Sequence, residues 1–78
     1  MSKVRRIKNW VIDLLKEEEE MTSSEILDFV NRMYYHGATT NQLSNVLAKA
    51  PEIEKCGFIE HYKNGLRFRE AVWRLRHE

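Results

Sequence analysis

The chain has 78 residues, 42% of them hydrophobic, and a formal net charge of +1. A chain of this length forms a single domain, and such a domain buries only about 60% of the surface that its unfolded chain exposes. Cys56 is the sole cysteine, which excludes a disulfide framework and favours a reducing cytoplasmic, nucleoid or nuclear location over secretion. The sequence has no apolar run of about 18 residues, which excludes a membrane-spanning helix.

Charge is distributed unevenly along the chain although its sum is close to zero. Seven of the twelve carboxylates lie between positions 13 and 28. No Asp or Glu occurs from Phe29 to Pro51, and none occurs from His61 to Arg69, a stretch that contains three Lys and Arg residues. These two acid-free stretches are suited to approach a polyanion such as a phosphate backbone.

The first predicted element is an amphipathic helix over residues 4–17. Its apolar residues recur at helical spacing, as in Ile7, Val11 and Leu14. The run from Glu17 to Glu20 repels itself and places negative charge at the helix C-terminus. The helix should therefore end in this run, which we interpret as a solvated acidic connector.

The second predicted element is a helix over residues 23–36. Thr22 and Glu25 have the spacing of a capping box, in which each side chain accepts a hydrogen bond from the other residue's backbone N–H. Gly37 tolerates positive φ and is therefore expected to allow a sharp turn after the helix.

The third predicted element is a short helix over residues 40–50. Thr39 and Gln42 repeat the capping-box spacing, and Pro51 cannot continue the helical hydrogen bonds. Two helices joined by a short, glycine-containing turn are typical of a helix-turn-helix unit.

The remaining chain predicts a β-hairpin over residues 54–75, because Asn64-Gly65 is a strong turn signal between two apolar segments. The alternation in the second strand changes phase near residues 70 and 71, which predicts a bulge there. A C-terminal helix over residues 68–76 is the alternative. The large aromatic side chains are expected in or near the core, and one of the adjacent Tyr34 and Tyr35 is expected to be exposed. These core aromatics are Trp10, Phe29, Phe58, Phe68 and Trp73.

The order helix, helix, glycine-bearing turn, short helix and basic hairpin resembles the winged helix-turn-helix family over residues 5–76. The segment from His36 to Leu47 looks like that family's turn and recognition helix. The family's small first strand would fall around Met21 and Thr22. The expected fold is α+β, with three helices followed by a two-stranded antiparallel wing. The resemblance implies a third helix in the DNA major groove and a wing on the adjacent backbone or minor groove.

The outward face of the third helix is the first candidate site. With Leu43, Val46 and Leu47 facing inward, its outward residues are small, amide-bearing or basic, and none is a carboxylate. Asn and Gln pair with the edge of adenine, and Ser bonds several base edges. Thr39 and Thr40 lie where a helix N-terminus offers N–H groups to phosphate, although simple capping is an equal interpretation. The candidates in this part of the chain are Thr39, Thr40, Asn41, Gln42, Ser44, Asn45 and Lys49.

The hairpin tip is the second candidate site, because its basic residues cluster around the turn and would neutralise phosphates. Its candidate residues are His61, Lys63, Asn64, Arg67 and Arg69. Protection of the strand edge against aggregation is the alternative role for this charge. The basic start of the first helix, with Lys3, Arg5, Arg6 and Lys8, is suited to flank the same backbone, and an untethered basic tail is an equal interpretation.

These patterns predict a double-stranded DNA-binding protein, a small transcriptional regulator without enzymatic activity, cofactor, metal or small-molecule ligand. They leave the oligomeric state open, with a homodimer as one alternative. Cys56 and His61 are an odd number of residues apart, so a strand would place them on opposite faces, which disfavours a nucleophile and base pair. The cysteine and histidines also lack zinc-ligand spacing. The alternative is a protein-docking module in a nucleic-acid-processing complex, with Glu17–Glu25 as its contact surface.

Overall fold

Three helices and three strands are present in the computed structural model, which describes residues 3–34 and 37–76 and the side chains from Arg5 onward in those ranges. In chain order they are α1 (Lys3–Glu18), β1 (Glu20–Thr22), α2 (Ser23–Met33), α3 (Thr40–Lys49), β2 (Ile53–Lys63) and β3 (Leu66–Leu75).

The sheet has three strands in the order β1-β3-β2, so the expected fold of three helices followed by a two-stranded wing is wrong. The added strand, β1, lies between α1 and α2 and pairs antiparallel with β3, with Met21 opposite Trp73 and Thr22 opposite Val72. Thr22 is also the N-cap of α2, with φ −77° and ψ 163°. Because an N-cap residue has extended backbone, Thr22 is able to cap α2 and to pair with β3 at the same time. The α+β class holds, but its β part is a sheet.

The helix starts follow the predicted signals. Both capping boxes are confirmed: the Thr22 hydroxyl accepts the Glu25 N–H, the Thr39 hydroxyl accepts the Gln42 N–H, and the reciprocal bonds are also formed. The C-terminus of α1 is at Glu18, and the next residue, Glu19, has a left-handed backbone conformation with φ 64°.

The turn between α2 and α3 depends on Gly37, which has φ 46°. A Cβ atom there would lie 1.9 Å from Oδ1 of Asn31, and the same oxygen accepts the Ala38 N–H at 2.8 Å. α2 ends at Met33 with Tyr34 as its C-cap. The predicted helix continued to 36, and residues 35 and 36, including Tyr35 of the tyrosine pair, lie outside the described residues.

One apolar core joins the three helices to the base of the sheet. Its buried members are Ile7, Val11, Leu14, Leu15, Ile26, Val30, Ala38, Leu43, Val46, Leu47, Ala50 and Ile53. Trp10, Phe29 and Trp73 pack against it and are half-buried, as expected of near-core aromatics. The indole N–H of Trp73 donates to the Ser23 hydroxyl at 2.8 Å, so β3 is also fixed to the start of α2 by a hydrogen bond.

The hairpin leaves the core at Gly57, and two predictions about its aromatics are wrong. Phe58 is 51% exposed and Phe68 is 49% exposed, because the strands are longer than the helical layer that covers their base. The change of phase near residue 70 marks the point where β3 passes from solvent to the core. β3 is continuous there, and the C-terminal helix considered as an alternative is absent from its described span.

The bulge lies in β2, between Lys55 and Gly57, and not in β3 as predicted. It leaves Cys56 unpaired in the strand register and only half-buried, with its Sγ 3.5 Å from the carbonyl oxygen of Val72. Burial raises the pKa of the Cys56 thiol, and the nearby Glu20 carboxylate raises it further.

Candidate functional site

The outward face of α3 is exposed and carries no carboxylate. Leu43, Val46 and Leu47 turn into the core, as the helical period requires. The helix therefore presents a surface of hydroxyl, amide, methyl and ammonium groups. The exposed residues are Thr40, Asn41, Ser44, Asn45, Ala48 and Lys49.

Two predicted site residues are engaged in capping α3. The Thr39 hydroxyl accepts the N–H of Gln42 at 3.1 Å, and Oε1 of Gln42 accepts the N–H of Thr39 at 3.0 Å. Gln42 is half-buried as a result. Its side-chain oxygen is committed to the cap, so Asn41 and Asn45 are the amides of this helix that are better placed to meet a ligand.

Glu70 of β3 contacts residues of both α2 and β2. It lines a hollow of about 190 Å³ between α2 and α3, together with Ser24, Thr40 and Ser44. One of its carboxylate oxygens accepts the backbone N–H of Ser24 at the start of α2, and the other lies 2.8 Å from Nε2 of His61. Partial burial raises the pKa of Glu70, but hydrogen bonds from Ser24, His61 and Thr22 outweigh it and hold that pKa below 4.5.

The structure therefore divides the predicted hairpin site. His61, opposite Phe68 in the exposed part of the hairpin, is held by Glu70. Lys63 and Asn64 lie at the exposed tip, where Asn64 and Gly65 have φ 53° and 77°, as a type I′ turn requires.

The two arginines of the hairpin lie along its second strand. Nη1 of Arg67 is 4.0 Å from Glu60, a distance at the limit of an ion pair between two exposed groups. The Arg69 guanidinium lies over the ring of Phe58, 4.4 Å from its centroid. Neither contact neutralises the arginine strongly, since exposed ion pairs contribute only about 0 to 1 kcal/mol and an aromatic ring carries no net charge.

Further cations lie near α3, and two of them, Lys55 and Arg76, were not among the predicted site residues. Lys55 and Arg76 border a hollow of about 430 Å³ with Ala48 of α3, and Lys8 borders another with Asn45 and Lys49. Lys55 and Arg76 stand near glutamates in the sequence, so no acid-free run marks them, whereas Lys8 belongs to the basic start of the first helix.

The nearby glutamates are paired. Glu54 accepts the Arg74 guanidinium at 3.1 Å, and Glu52 accepts the Lys8 ammonium at 2.8 Å. The hydrogen bond from Lys8 lowers the pKa of Glu52 against a smaller opposing effect of burial. Pairing removes much of the negative potential that these carboxylates would otherwise add beside α3.

The acidic run ends beside β3, where Glu20 is opposite Arg74 in the strand register. Lys16 to Glu20 are exposed, and no ion pair found in residues 3–34 and 37–76 joins this run to an arginine of the hairpin. Within the same ranges, no group of three His, Cys, Asp or Glu side chains is arranged to hold a metal ion. No helix in the described part of the chain combines the length and apolarity needed to cross a bilayer.

Comparisons with known proteins give one informative result. No family model matches the sequence, and no curated protein matches it. A solved structure does match: that of a "putative nucleic acid binding protein" from an uncultured marine organism, with 31% sequence identity and a TM-score of 0.79. The match covers 95% of this chain and 81% of the marine protein. Identity and coverage at this level show that the chain belongs to the same family as that marine protein.

Proposed function

We propose that the chain binds double-stranded DNA and acts as a small transcriptional regulator by occupying its site, as winged helix-turn-helix proteins do. The observation that carries this proposal is the exposed, carboxylate-free face of α3, which presents Asn41 and Asn45 and has Lys49, Lys55 and Arg76 near its C-terminal end. The relative from the marine organism supports a nucleic-acid ligand, because it is described in those terms.

The two parts of the site have different roles in this proposal. Asn41, Ser44 and Asn45 face the base edges in the major groove, where Asn pairs bidentately with adenine. Lys49, together with Lys63, Arg67 and Arg69 of the hairpin, neutralises phosphates and fixes the position of the protein on the duplex. Base contacts would then determine sequence preference, and the cations would determine affinity and its dependence on salt.

We further propose that the function is binding without catalysis. The Cys56 thiol has a raised pKa, the opposite of the shift that activates a nucleophilic cysteine. His61 is held by Glu70, whose carboxylate also caps α2, so this pair has a structural use.

Selection from random duplexes followed by Asn45→Ala tests the assignment of base contacts. We expect wild type to enrich a defined sequence. Asn45→Ala should lose about 1 to 3 kcal/mol of discrimination at one base position while it keeps its affinity for unrelated DNA. Asn9→Ala is the matched control, because Asn9 is an exposed Asn on α1. Equal loss of affinity for every duplex from Asn45→Ala would contradict base reading by this residue.

The exposed acidic run supports a second candidate function. Glu17 to Glu20 present four adjacent carboxylates to solvent, and a protein-docking module would use them against a basic partner. This alternative predicts no affinity of the chain for duplex DNA at low salt.

A further inference from the structure

The outer part of the hairpin, residues 58–69, is exposed along its whole length yet rich in large apolar side chains. An antiparallel sheet usually packs an apolar face on a core and exposes a polar face to solvent. Neither face of this segment covers a core. Its exposed apolar residues are Phe58 at 51%, Ile59 at 44%, Tyr62 at 74%, Leu66 at 61% and Phe68 at 49%. Exposed apolar side chains gathered in one short segment are typical of a binding site.

The strand register sorts these side chains onto two faces. Leu66 is opposite Lys63, and Phe68 is opposite His61. Because directly opposed residues share a face, these four side chains lie together with Ile59, and Glu70 lies opposite Ile59 at the inner end of the face. Leu66, Phe68 and Ile59 are the apolar members of this face. The other face carries Tyr62 opposite Arg67 and Glu60 opposite Arg69.

Charge favours a polyanion over a protein as the occupant of this surface. Residues 58–69 contain three Lys and Arg residues and a single carboxylate, Glu60. The fully buried centre of a protein interface is depleted in charged residues, whereas here cations alternate with the apolar side chains on both faces. Nucleic acid can contact both kinds of side chain, because its phosphates attract the cations and its stacked bases offer apolar surface to the hydrophobic groups.

Leu66 has the position of a wedge. It directly follows the Asn64-Gly65 turn and is more exposed than any other aliphatic side chain of the outer hairpin, with Lys63 beside it. An aliphatic group has no hydrogen bond to make with a base edge and no attraction to phosphate. One apolar contact with DNA is the thymine methyl group, which lies in the major groove. The contact that buries an aliphatic side chain most completely is insertion between two bases, which proteins make from the minor groove with Leu, Phe, Ile or Met and which kinks the duplex.

We propose that the hairpin inserts Leu66, backed by Phe68, into the minor groove of double-stranded DNA, separates one base step and bends the duplex. This inference rests on the proposed function and adds to it a change in DNA shape. The cations Lys63, Arg67 and Arg69 contact the phosphates that line the groove, and their attraction offsets the cost of unstacking the bases.

The test measures bending and binding on the same duplex of about 25 base pairs. The duplex carries a donor and an acceptor dye at its ends and 2-aminopurine at successive positions, and anisotropy reports binding. With wild type we expect a bend of about 20° to 90°, seen as increased energy transfer and as brighter 2-aminopurine at one step. Leu66→Ala should abolish both signals and Leu66→Met should restore them.

Met33→Ala is the matched control, because Met33 is 62% exposed and lies on α2; it should bend DNA as wild type does. Leu66 is equally exposed, so its replacement should leave the melting temperature unchanged. Tight binding of wild type without bending would overturn the inference and leave the proposed function standing. Absence of any binding would overturn both. Tighter binding to single-stranded DNA than to the duplex would overturn the insertion of Leu66. A homodimer of the wild-type chain that Leu66→Ala dissociates would overturn it as well.

Discussion

Glu19 is the residue whose backbone conformation is least suited to its side chain. Its φ of 64° closes α1, and its N–H still reaches the carbonyl oxygen of Leu15 at 3.1 Å. For an L-residue the left-handed conformation costs about 1 to 2 kcal/mol, whereas glycine adopts it freely. The residue that follows α1 is therefore a glutamate in a backbone conformation that glutamate does not favour.

We expect Glu19→Gly to raise the free energy of unfolding by about 0.5 to 1 kcal/mol, because relief of strain exceeds the entropy that glycine adds to the unfolded chain. Urea denaturation at neutral pH measures the change. Asp13→Gly is the control: it also removes an exposed carboxylate but places glycine inside α1, and it should destabilise by roughly 0.5 kcal/mol. A stability loss from Glu19→Gly would contradict the interpretation of strain.

Single-residue signals were predictable where the residue type itself selects the conformation. Gly37 and Asn64-Gly65 adopt the positive φ values that their sequence indicated, and both Thr caps form. The conformation of Glu19 was not predictable, because glutamate carries no preference for it. The exposure of Phe58 was also not predicted, since the sequence of a strand does not show whether its aromatic residues lie over a core or in solvent.

At the scale of elements, Glu70 determines how the hairpin is attached to the helices. Its carboxylate joins β3 to the N-terminus of α2 through Ser24 and to β2 through His61. A carboxylate also suits the positive end of the α2 dipole. This single group therefore helps to orient the hairpin relative to the helices.

Glu70→Gln should lower the free energy of unfolding at pH 7 by about 1 to 2 kcal/mol, a typical loss for hydrogen bonds to a charged group. The folded pKa of Glu70 lies below its ordinary value of 4.5. Its stabilising contribution is therefore complete above that value and is lost as the pH falls through the lower, folded pKa. Urea unfolding of wild type and variant at pH 7, 5 and 3 should show a difference that shrinks at pH 3. A difference independent of pH would show that the charge of Glu70 has no role.

The helices and the hairpin were largely predictable as elements, but the three-stranded sheet was not. Helical periodicity and capping residues are local, so they indicated α1, α2 and α3 directly. β1 spans only Glu20–Thr22, and it is a strand only because β3 lies beside it. The tie between Glu70 and Ser24 joins residues 46 positions apart, and no local pattern reveals such a contact.

At the scale of the whole molecule, the net charge of +1 conceals a separation of charge. The exposed acidic run lies at the end of α1, while the cations border α3 and the hairpin. The periodicity of α3 sufficed to predict its exposed face. Lys55 and Arg76 required the fold, because only strand pairing brings them beside Ala48 and shows that Glu54 is neutralised by Arg74.

The salt dependence of binding to a random duplex tests DNA binding most directly, by fluorescence anisotropy from about 50 mM salt upward. We expect binding at low salt, a linear fall of the logarithm of the association constant with the logarithm of salt concentration, and a slope reduced by about 0.9 in Lys63→Ala. Lys16→Ala, which removes an exposed lysine beside the acidic run, should leave the slope unchanged. No anisotropy change at about 50 mM salt, or equal slopes for wild type and Lys63→Ala, would contradict a DNA-binding hairpin.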